Sequence, residues 1–329
     1  GGQIVMPTII KKIGKRIRSL PNAFLAILAI FIVMLFSDTQ FYSSYNLLDI
    51  LNSNSIYLIL AMGQTIVLVS GGVDLAIGGT MTVAGIITIL LINSGVPIPL
   101  AIAVALVFGA FVGAINGYIS VYQKTEPFIV TLGMGVILTG VAQQLTDARP
   151  ISCSNPLFLR LANYRLFGQI PAMIIVMVVV VIAMHWILTS TSFGRNCYAI
   201  GGDYEVAQYS GIPVRRLKAL TYVISGVTAA LGGVMLSSWV NTGNSIFGSI
   251  TALYVVSALV VGGTSTAGGV GSAIKSVLGI LLLGLLSNAF NMLNIDSFIP
   301  YLQQDLQGLI IVGILWLDSY SRKRKRENV

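Results

Sequence analysis

The stretch 170-IPAMIIVMVVVVIAMHWIL-188 decides the fold of this chain. A transmembrane helix needs about 20 predominantly apolar residues, and this stretch supplies them with His185 as its one ionisable side chain. Similar stretches recur along the whole sequence, so a single signal peptide does not explain them. Of the 329 residues, 55% are hydrophobic and 9% are charged. This composition excludes a soluble globular protein and indicates a multi-pass membrane protein.

Ten apolar segments follow one another, and they predict an all-α, polytopic transmembrane bundle of about ten helices. The segments are 20–37, 47–69, 76–94, 97–121, 127–146, 170–189, 217–238, 250–263, 270–293 and 297–317. The polar stretches between them are too short for a sizeable soluble domain. Residues 1–329 are therefore expected to form a single transmembrane domain.

The basic residues predict the orientation of this bundle. Fifteen of the 19 Lys and Arg fall on one side of the ten segments and three on the other, with Lys275 near an inner segment end. Because cytoplasmic loops collect Lys and Arg, both termini are expected inside the cell. The expected cytoplasmic parts are a basic N-terminus (1–19), a loop (190–217) and a basic tail (318–329). The net charge of +8 thus lies beside the lipid bilayer, which argues against nucleic acid as a partner.

Glycine is abundant and falls within and between the segments. Gly109, Gly113 and Gly117 form a doubled G-x-x-x-G in the fourth segment, a pattern that lets helix backbones approach closely. Two glycine-rich turns, 71-GGVDLAIGG-79 and 262-GGTSTAGGVG-271, lie on the predicted inner side. Because such irregular backbone cannot face lipid, both turns are expected to be buried in protein or to line an aqueous cavity.

The sequence lacks the common motifs of catalytic sites. It contains no nucleotide-binding P-loop and no zinc-protease or nucleophile-elbow motif, so we expect neither an ATPase site of its own, nor a catalytic residue, nor a metal site. His185 is expected to be a packed ring. Cys153 and Cys197 are expected on opposite sides of the membrane as structural thiols.

The polar residues within or beside the segments are mostly neutral. Asp74 is flanked by glycines and is expected either to cap the following helix or to hold a gate closed through hydrogen bonds. Four acidic residues (Asp49, Asp74, Asp296 and Asp305) lie near segment ends, where water is within reach, and no intramembrane charge pair forms a proton relay. Neutral amides and hydroxyls either join helices or line a path for an uncharged polar solute. The candidates for such a path are Gln64, Asp74, Asn116, Thr131, Asn288 and Asn291.

The stretch 201-GGDYEVAQYSGIPVRR-216 predicts a short capped helix on the inner side. Asp203 is a favourable N-cap, Gly211 stands at the C′ position, and Pro213 blocks continuation, which leaves a helix over 204–210. A helix of two turns is not stable alone in water. No other part of the chain is expected to form a domain on that side, so a partner protein is predicted to pack on this helix. The alternative is a helix that lies on the membrane or against its own bundle.

This stretch resembles the coupling loop of a known family. The pattern E-x-A-x-x-x-G, made by Glu205, Ala207 and Gly211, is similar to that of binding-protein-dependent ABC importer permeases. Further blocks resemble the ribose/xylose/galactose-type sugar permeases in particular and occur in the same order along the chain. They are 71-GGVDLAIG-78, 127-PFIVTLG-133, 193-FGRNCYAIGGD-203, 262-GGTSTAGGVGS-272 and 279-GILLLGLLSNAFNMLNI-295.

The resemblance implies a type II-like permease in a bacterial inner membrane that moves a neutral sugar inward. Two permease subunits, identical or related, would pair, and a periplasmic or lipid-anchored binding protein would deliver the sugar. Separate ATP-binding subunits would hold ATP and Mg²⁺, so this chain would bind no cofactor. The coupling residues implied are Asp203, Tyr204, Glu205, Val206, Ala207 and Gly211.

Some positions differ from the family pattern. Val206 and Ala76 replace a small residue and a serine, and Ala252 and Tyr254 stand where the family often has two acids. The solute and the identity of the second permease therefore stay open. The alternatives are an ABC importer of a furanosyl signal, a nucleoside or a branched-chain amino acid, and an ion-coupled secondary transporter. An intramembrane enzyme is disfavoured because no acid–base or metal constellation is present.

Overall fold

The structure is a computed structural model that describes residues 22–293, except 167 and 249, together with residues 302, 305, 308, 309, 312 and 313. Several predicted parts lie wholly or mostly outside the described residues. They are the basic N-terminus (1–19), Asp296, the tenth segment (297–317) apart from the six isolated positions, and the basic tail (318–329).

Helices dominate the part of the chain that the structure describes. They are α1 (Asn22–Ser37), α2 (Ser44–Val69), α3 (Ile77–Asn93), α4 (Ile98–Gly117), α5 (Pro127–Thr146), α6 (Pro156–Asn163), α7 (Ala172–Ser190), α8 (Ser192–Gly202), α9 (Tyr204–Tyr209), α10 (Val214–Val240), α11 (Thr251–Val261) and α12 (Ala273–Met292). A 3₁₀ turn (Thr39–Tyr42) precedes α2, and a π-helical turn (Tyr118–Tyr122) extends α4. Four two-residue strands are β1 (Ile151–Ser152), β2 (Arg165–Leu166), β3 (Ile170–Pro171) and β4 (Thr242–Gly243).

The predicted all-α membrane bundle is confirmed. Among the described residues, α2, α4 with its π-helical turn, α5, α7, α10 and α12 are long and apolar enough to cross a membrane. The apolar helices α1, α3 and α11 are shorter. These nine helices correspond to the first nine predicted segments. The eighth predicted segment (250–263) is longer than the helix that the structure has there. This helix, α11, has 11 residues and rises only about 16 Å.

The helix α10 is the axis on which the other helices pack. It has 27 residues and is about 40 Å long. Its contacts with α4, α3 and α2 are more extensive than those of any other pair of described helices. The predicted packing glycines of α4 all face it. Gly109 lies against Gly226, Gly113 against Tyr222, and Gly117 against Ala219. Because each contact involves the α10 backbone, even a methyl group at these positions would force the helices apart.

We name the two ends of α10 by the orientation that the basic residues predict, as the inner end and the outer end. At the outer end, β1 pairs with β4 in antiparallel register, so Ile151 lies opposite Gly243. The Cys153 backbone N–H donates to the Asn241 carbonyl there at 3.4 Å. At the inner end, α8 and α9 lead into the start of α10, and Cys197 is buried in α8. The length of α10 therefore separates the two cysteines.

Candidate functional site

The short helix α9 forms where the sequence predicts it, with its last residue one position earlier than expected. The Asp203 carboxylate accepts a hydrogen bond from the Val206 backbone N–H at 3.0 Å, which caps the first turn. Gly211 has φ +79°, and its N–H donates to the Gln208 carbonyl at 3.1 Å. The next N–H, of Ile212, reaches the carbonyl of residue 207 at 3.2 Å. This paired arrangement is a Schellman motif, and it ends the helix sharply.

A second helix, α8, supports α9. This helix was not predicted from the sequence. Thr191 caps it by accepting from the Gly194 backbone N–H at 3.1 Å. Ala207 of α9 is buried in a cluster with Ile200 of α8 and Val214 of α10. The expectation that α9 has nothing of its own chain to pack on is therefore wrong. The small side chain of Ala207 serves this internal contact instead of facing a partner.

The opposite face of α9 is open to solvent. Val206 is 61% exposed and Tyr209 is 88% exposed, and Tyr204 and Glu205 are also exposed. A groove of about 290 Å³ runs alongside, and its walls include Tyr204 and Arg215. Aromatic rings, a carboxylate and a guanidinium group on one rigid surface are typical of a protein contact site.

The inner end also contains buried polar groups on α8. Burial raises the pKa of the Cys197 thiol to about 12, so this thiol is inert near neutral pH. Burial also raises the pKa of the neighbouring Tyr198 phenol. The Tyr198 hydroxyl donates to the Gly271 carbonyl at 2.8 Å and so ties α8 to the second glycine-rich turn.

The first glycine-rich turn separates α2 from α3 inside the bundle. The Asp74 carboxylate accepts from the Ala76 backbone N–H at 3.0 Å and from the Ser225 hydroxyl at 2.8 Å. The Gln64 amide, oriented to satisfy both groups, donates to the Asp74 carbonyl at 3.1 Å and accepts from the Asp74 N–H at 3.2 Å. Every polar group of Asp74 therefore has a partner. Asp74 joins the turn between α2 and α3, which we call the break, to α10.

The position of Asp74 corrects the expectation that water can reach it. Its side chain is 2% exposed, and it is the one buried acidic or basic residue among those the structure describes. Ser225 lies 11 residues into α10, about 17 Å from its inner end. The capping hypothesis is not supported, because the carboxylate bonds to the Ala76 N–H, one residue before α3, and not to an N–H of its first turn. The bond to Ser225 joins two elements of the bundle, and the gate hypothesis stays a prediction.

A second break lies beside the first. The backbones of Gly78, at the start of α3, and Gly248, just before α11, are in direct contact. Gly248 lies in the segment between β4 and α11, three residues before α11 begins. The starts of α3 and α11 are thus close to each other. Interrupted helices that meet near the middle of a bundle form the substrate sites of many transporters.

The other predicted path residues divide between this region and the outer end. The Thr131 hydroxyl donates to the Pro127 carbonyl at 2.8 Å and lies 3.4 Å from the Val73 carbonyl oxygen, next to the break. Asn116 is fully buried on α4, and its amide has no hydrogen-bond partner among the described residues. Gln64, Asp74 and Thr131 are therefore the path candidates that the fold brings together.

The two asparagines of α12 lie elsewhere. The Asn288 amide donates to the Asn46 side-chain oxygen at 2.9 Å, near the outer end where α2 begins. Asn291 is exposed. Within the described residues, no three His, Cys, Asp or Glu side chains come together in a way that could hold a metal ion. Ser225 was not anticipated, because a lone serine in an apolar segment carries no sequence signal.

Known membrane permeases are similar to this chain over most of its length. Residues 46–315 match the model of a family described as branched-chain amino acid transport system / permease component. The chain is 33% identical over 308 residues to the ribose import permease protein RbsC of Haemophilus influenzae, covering 92% of this chain and 94% of that protein. No solved structure matches it.

Two further relatives come from Escherichia coli. The L-arabinose transport system permease protein AraH is 34% identical over 267 residues, covering 81% of this chain and 80% of AraH. The xylose transport system permease protein XylH is 30% identical over 368 residues, covering 92% and 93%. With its apolar helices, the chain is a multi-pass protein of the inner membrane and a transport component. The chain belongs to the branched-chain amino acid transport system / permease component family.

Proposed function

We propose that this chain is the transmembrane permease subunit of an ATP-binding-cassette importer that moves a neutral sugar inward. The observation that carries the proposal is the exposed face of α9. A capped helix of six residues presents Tyr204, Val206 and Tyr209 to solvent at the inner end, while Ala207 fixes it to the bundle. An aromatic face held rigidly in this way suits a groove of a partner ATPase.

The energy source in this proposal is separate from the chain. ATP and Mg²⁺ would bind to the ATPase subunits, and a pair of permease subunits would form the pathway between them. A periplasmic or lipid-anchored binding protein would deliver the solute to the outer end. The permease names of the relatives support this division of labour, since they describe import or transport system permease proteins.

The relatives and the neutral polar groups of the core support a sugar as the solute. The relatives named above are permeases for ribose, L-arabinose and xylose, which are neutral and rich in hydroxyl groups. At the break, Gln64 and Thr131 are neutral, and Asp74 is already satisfied by its own chain, so these residues offer no unpaired charge to a charged solute.

A second candidate solute is a branched-chain amino acid, which the description of the matching family favours. A zwitterion would need an anion contact such as a helix N-terminus, which the uncapped start of α3 could supply. Uptake assays with radiolabelled ribose, L-arabinose, xylose and leucine separate the two. The proposal predicts ATP-dependent uptake of one of the sugars and none of leucine, and leucine uptake alone would overturn the sugar assignment.

A further inference from the structure

We infer that Gly201 is a positioning residue that transmits movement of the α8–α9 pair to both glycine-rich turns. This inference rests on the proposed function, because it concerns how the energy of the ATPase reaches the pathway. Gly201 lies at the end of α8, two residues before Asp203 caps α9. The carboxylate cap and the contact of Ala207 with Ile200 make the two helices one unit.

The backbone of Gly201 is in contact with two separate elements. A Cβ atom at this position would overlap the carbonyl oxygen of Val69, the last residue of α2. The same atom would lie 2.5 Å from the backbone nitrogen of Gly269, in the second glycine-rich turn. Only glycine fits here, and both contacts are made by main chain.

The two turns are also joined to each other at this point. The Gly269 N–H donates to the Val69 carbonyl at 2.9 Å, so the second turn is hydrogen-bonded to the end of α2. A Cβ atom on Gly268 would lie 2.7 Å from the Gly201 carbonyl oxygen and 2.9 Å from the Gly71 Cα atom. Three glycine backbones from three elements therefore meet in one place.

Both turns connect this contact to the interrupted helices. The first turn leads within five residues of Val69 to Asp74, which is hydrogen-bonded to Ser225 in α10. The second turn lies between α11 and α12. Close-packed main chain has no slack and resists compression, so a displacement of α9 is passed to both turns rather than absorbed by side chains. The route from α9 to the interrupted helices is continuous.

The adjacent Gly202 provides a matched control. No atom lies within 4 Å of a Cβ built on Gly202, so Gly202→Ala adds a methyl group to open space. Gly201→Ala adds the same group one residue earlier and pushes α8 away from the turns. The two variants have the same composition and differ only in where the methyl group is placed.

The test uses proteoliposomes that contain the whole importer, with its ATPase and binding protein, and whichever of radiolabelled ribose, L-arabinose or xylose it carries. ATP hydrolysis and sugar uptake are measured together, and their ratio is compared. For Gly201→Ala we expect the sugar imported per ATP to fall about tenfold, within the range by which residues along a coupling route change coupling. For Gly202→Ala the ratio should stay within about twofold of the starting protein.

Tyr198→Phe keeps the test decisive if Gly201→Ala does not fold. It removes one hydrogen bond to the Gly271 carbonyl and retains the ring, and a smaller fall of about threefold is expected. An unchanged ratio in Gly201→Ala, or in Tyr198→Phe when the first variant does not fold, would overturn this inference alone. Absence of ATP-dependent uptake by the unmodified importer would instead overturn the proposed function, and this inference with it.

Discussion

The Ser225 hydroxyl donates a hydrogen bond of 2.8 Å to the Asp74 carboxylate, although 151 positions separate the two residues in the chain. This bond joins the break between α2 and α3 to the middle part of α10. Asp74 is fully satisfied by Ser225, Ala76 and the amide of Gln64. The break is therefore held in place by hydrogen bonds within the protein, and its polar groups need no water molecule as a partner.

Replacing Ser225 with alanine should destabilise the bundle. The variant leaves one oxygen of a buried carboxyl group without its donor, and hydrogen bonds to charged groups contribute about 1.5–3 kcal/mol. The detergent-solubilised protein should therefore unfold at a lower temperature. Ser37→Ala is the matched control, because the Ser37 hydroxyl is exposed and bonds only to a carbonyl in its own helix. Equal melting temperatures for the two variants would contradict this role of Ser225.

Combining Asp74→Asn with Ser225→Ala measures the interaction between the two side chains. If the hydrogen bond is the main interaction of Ser225, the effects of Asp74→Asn and Ser225→Ala should not add, since each removes part of the same contact. A double-mutant cycle on the melting transition gives this coupling. Simple additivity of the two effects would show that the residues act independently.

Glu205→Arg should weaken ATPase binding without unfolding the permease. Glu205 is exposed at the start of α9, so reversing its charge leaves the core intact, while a like-charge contact in an interface costs several kcal/mol. Co-purification of the ATPase should fall at least about tenfold, with an unchanged melting temperature of the permease alone. Asp49→Arg reverses the charge of a residue that is exposed on α2 near the outer end; it is the control and should retain the ATPase. Normal assembly and transport by Glu205→Arg would contradict the coupling role of α9.

Gly113→Ala should destabilise the protein, whereas Gly133→Ala should not. A Cβ atom on Gly113 would overlap the Tyr222 carbonyl oxygen, and overpacking of this kind costs about 1–3 kcal/mol. No atom lies within 4 Å of a Cβ on Gly133, where alanine gains up to about 1 kcal/mol of helix propensity. Thermal unfolding should therefore shift down for the first variant and stay level or rise for the second. A stabilised Gly113→Ala protein would contradict the close packing of α4 on α10.

Cys197 should resist alkylation in the native protein. With a pKa of about 12 the thiol carries little thiolate near neutral pH, and it is also fully buried. In a Cys153→Ser variant, maleimide should therefore label Cys197 only after unfolding in SDS. A Ser210→Cys variant that lacks both native cysteines is the control, since Ser210 is exposed on the same inner end and should react at once. Rapid labelling of native Cys197 would contradict the packing of α8.

The sequence predicts well wherever a local pattern sets the structure. Apolar segments give the bundle because the membrane requires helices of a certain length, and Asp203 with Gly211 sets both ends of α9 through cap chemistry. The close approach of Gly109, Gly113 and Gly117 to α10 follows from the absence of a Cβ. Each of these patterns spans residues a few positions apart, whereas the sequence does not indicate that α10 is the partner of the three glycines.

Long-range contacts set the features that the sequence does not reveal. The support of α9 by α8 depends on Ile200 and Val214 meeting Ala207, and the burial of Asp74 depends on Ser225 from a distant helix. The short length of α11 was hidden because its apolar pattern continues beyond the helical residues. Hydrophobic periodicity is uninformative in segments that are apolar around most of their circumference.

Solute uptake into proteoliposomes, containing this permease with its ATPase and loaded with or without internal ATP, tests the proposed function most directly. We predict that radiolabelled ribose, L-arabinose or xylose enters only when internal ATP, the ATPase and the external binding protein are all present. Uptake by this chain alone, unaffected by ATP and lost when the ion gradient is collapsed, would contradict the proposal and identify an ion-coupled secondary transporter.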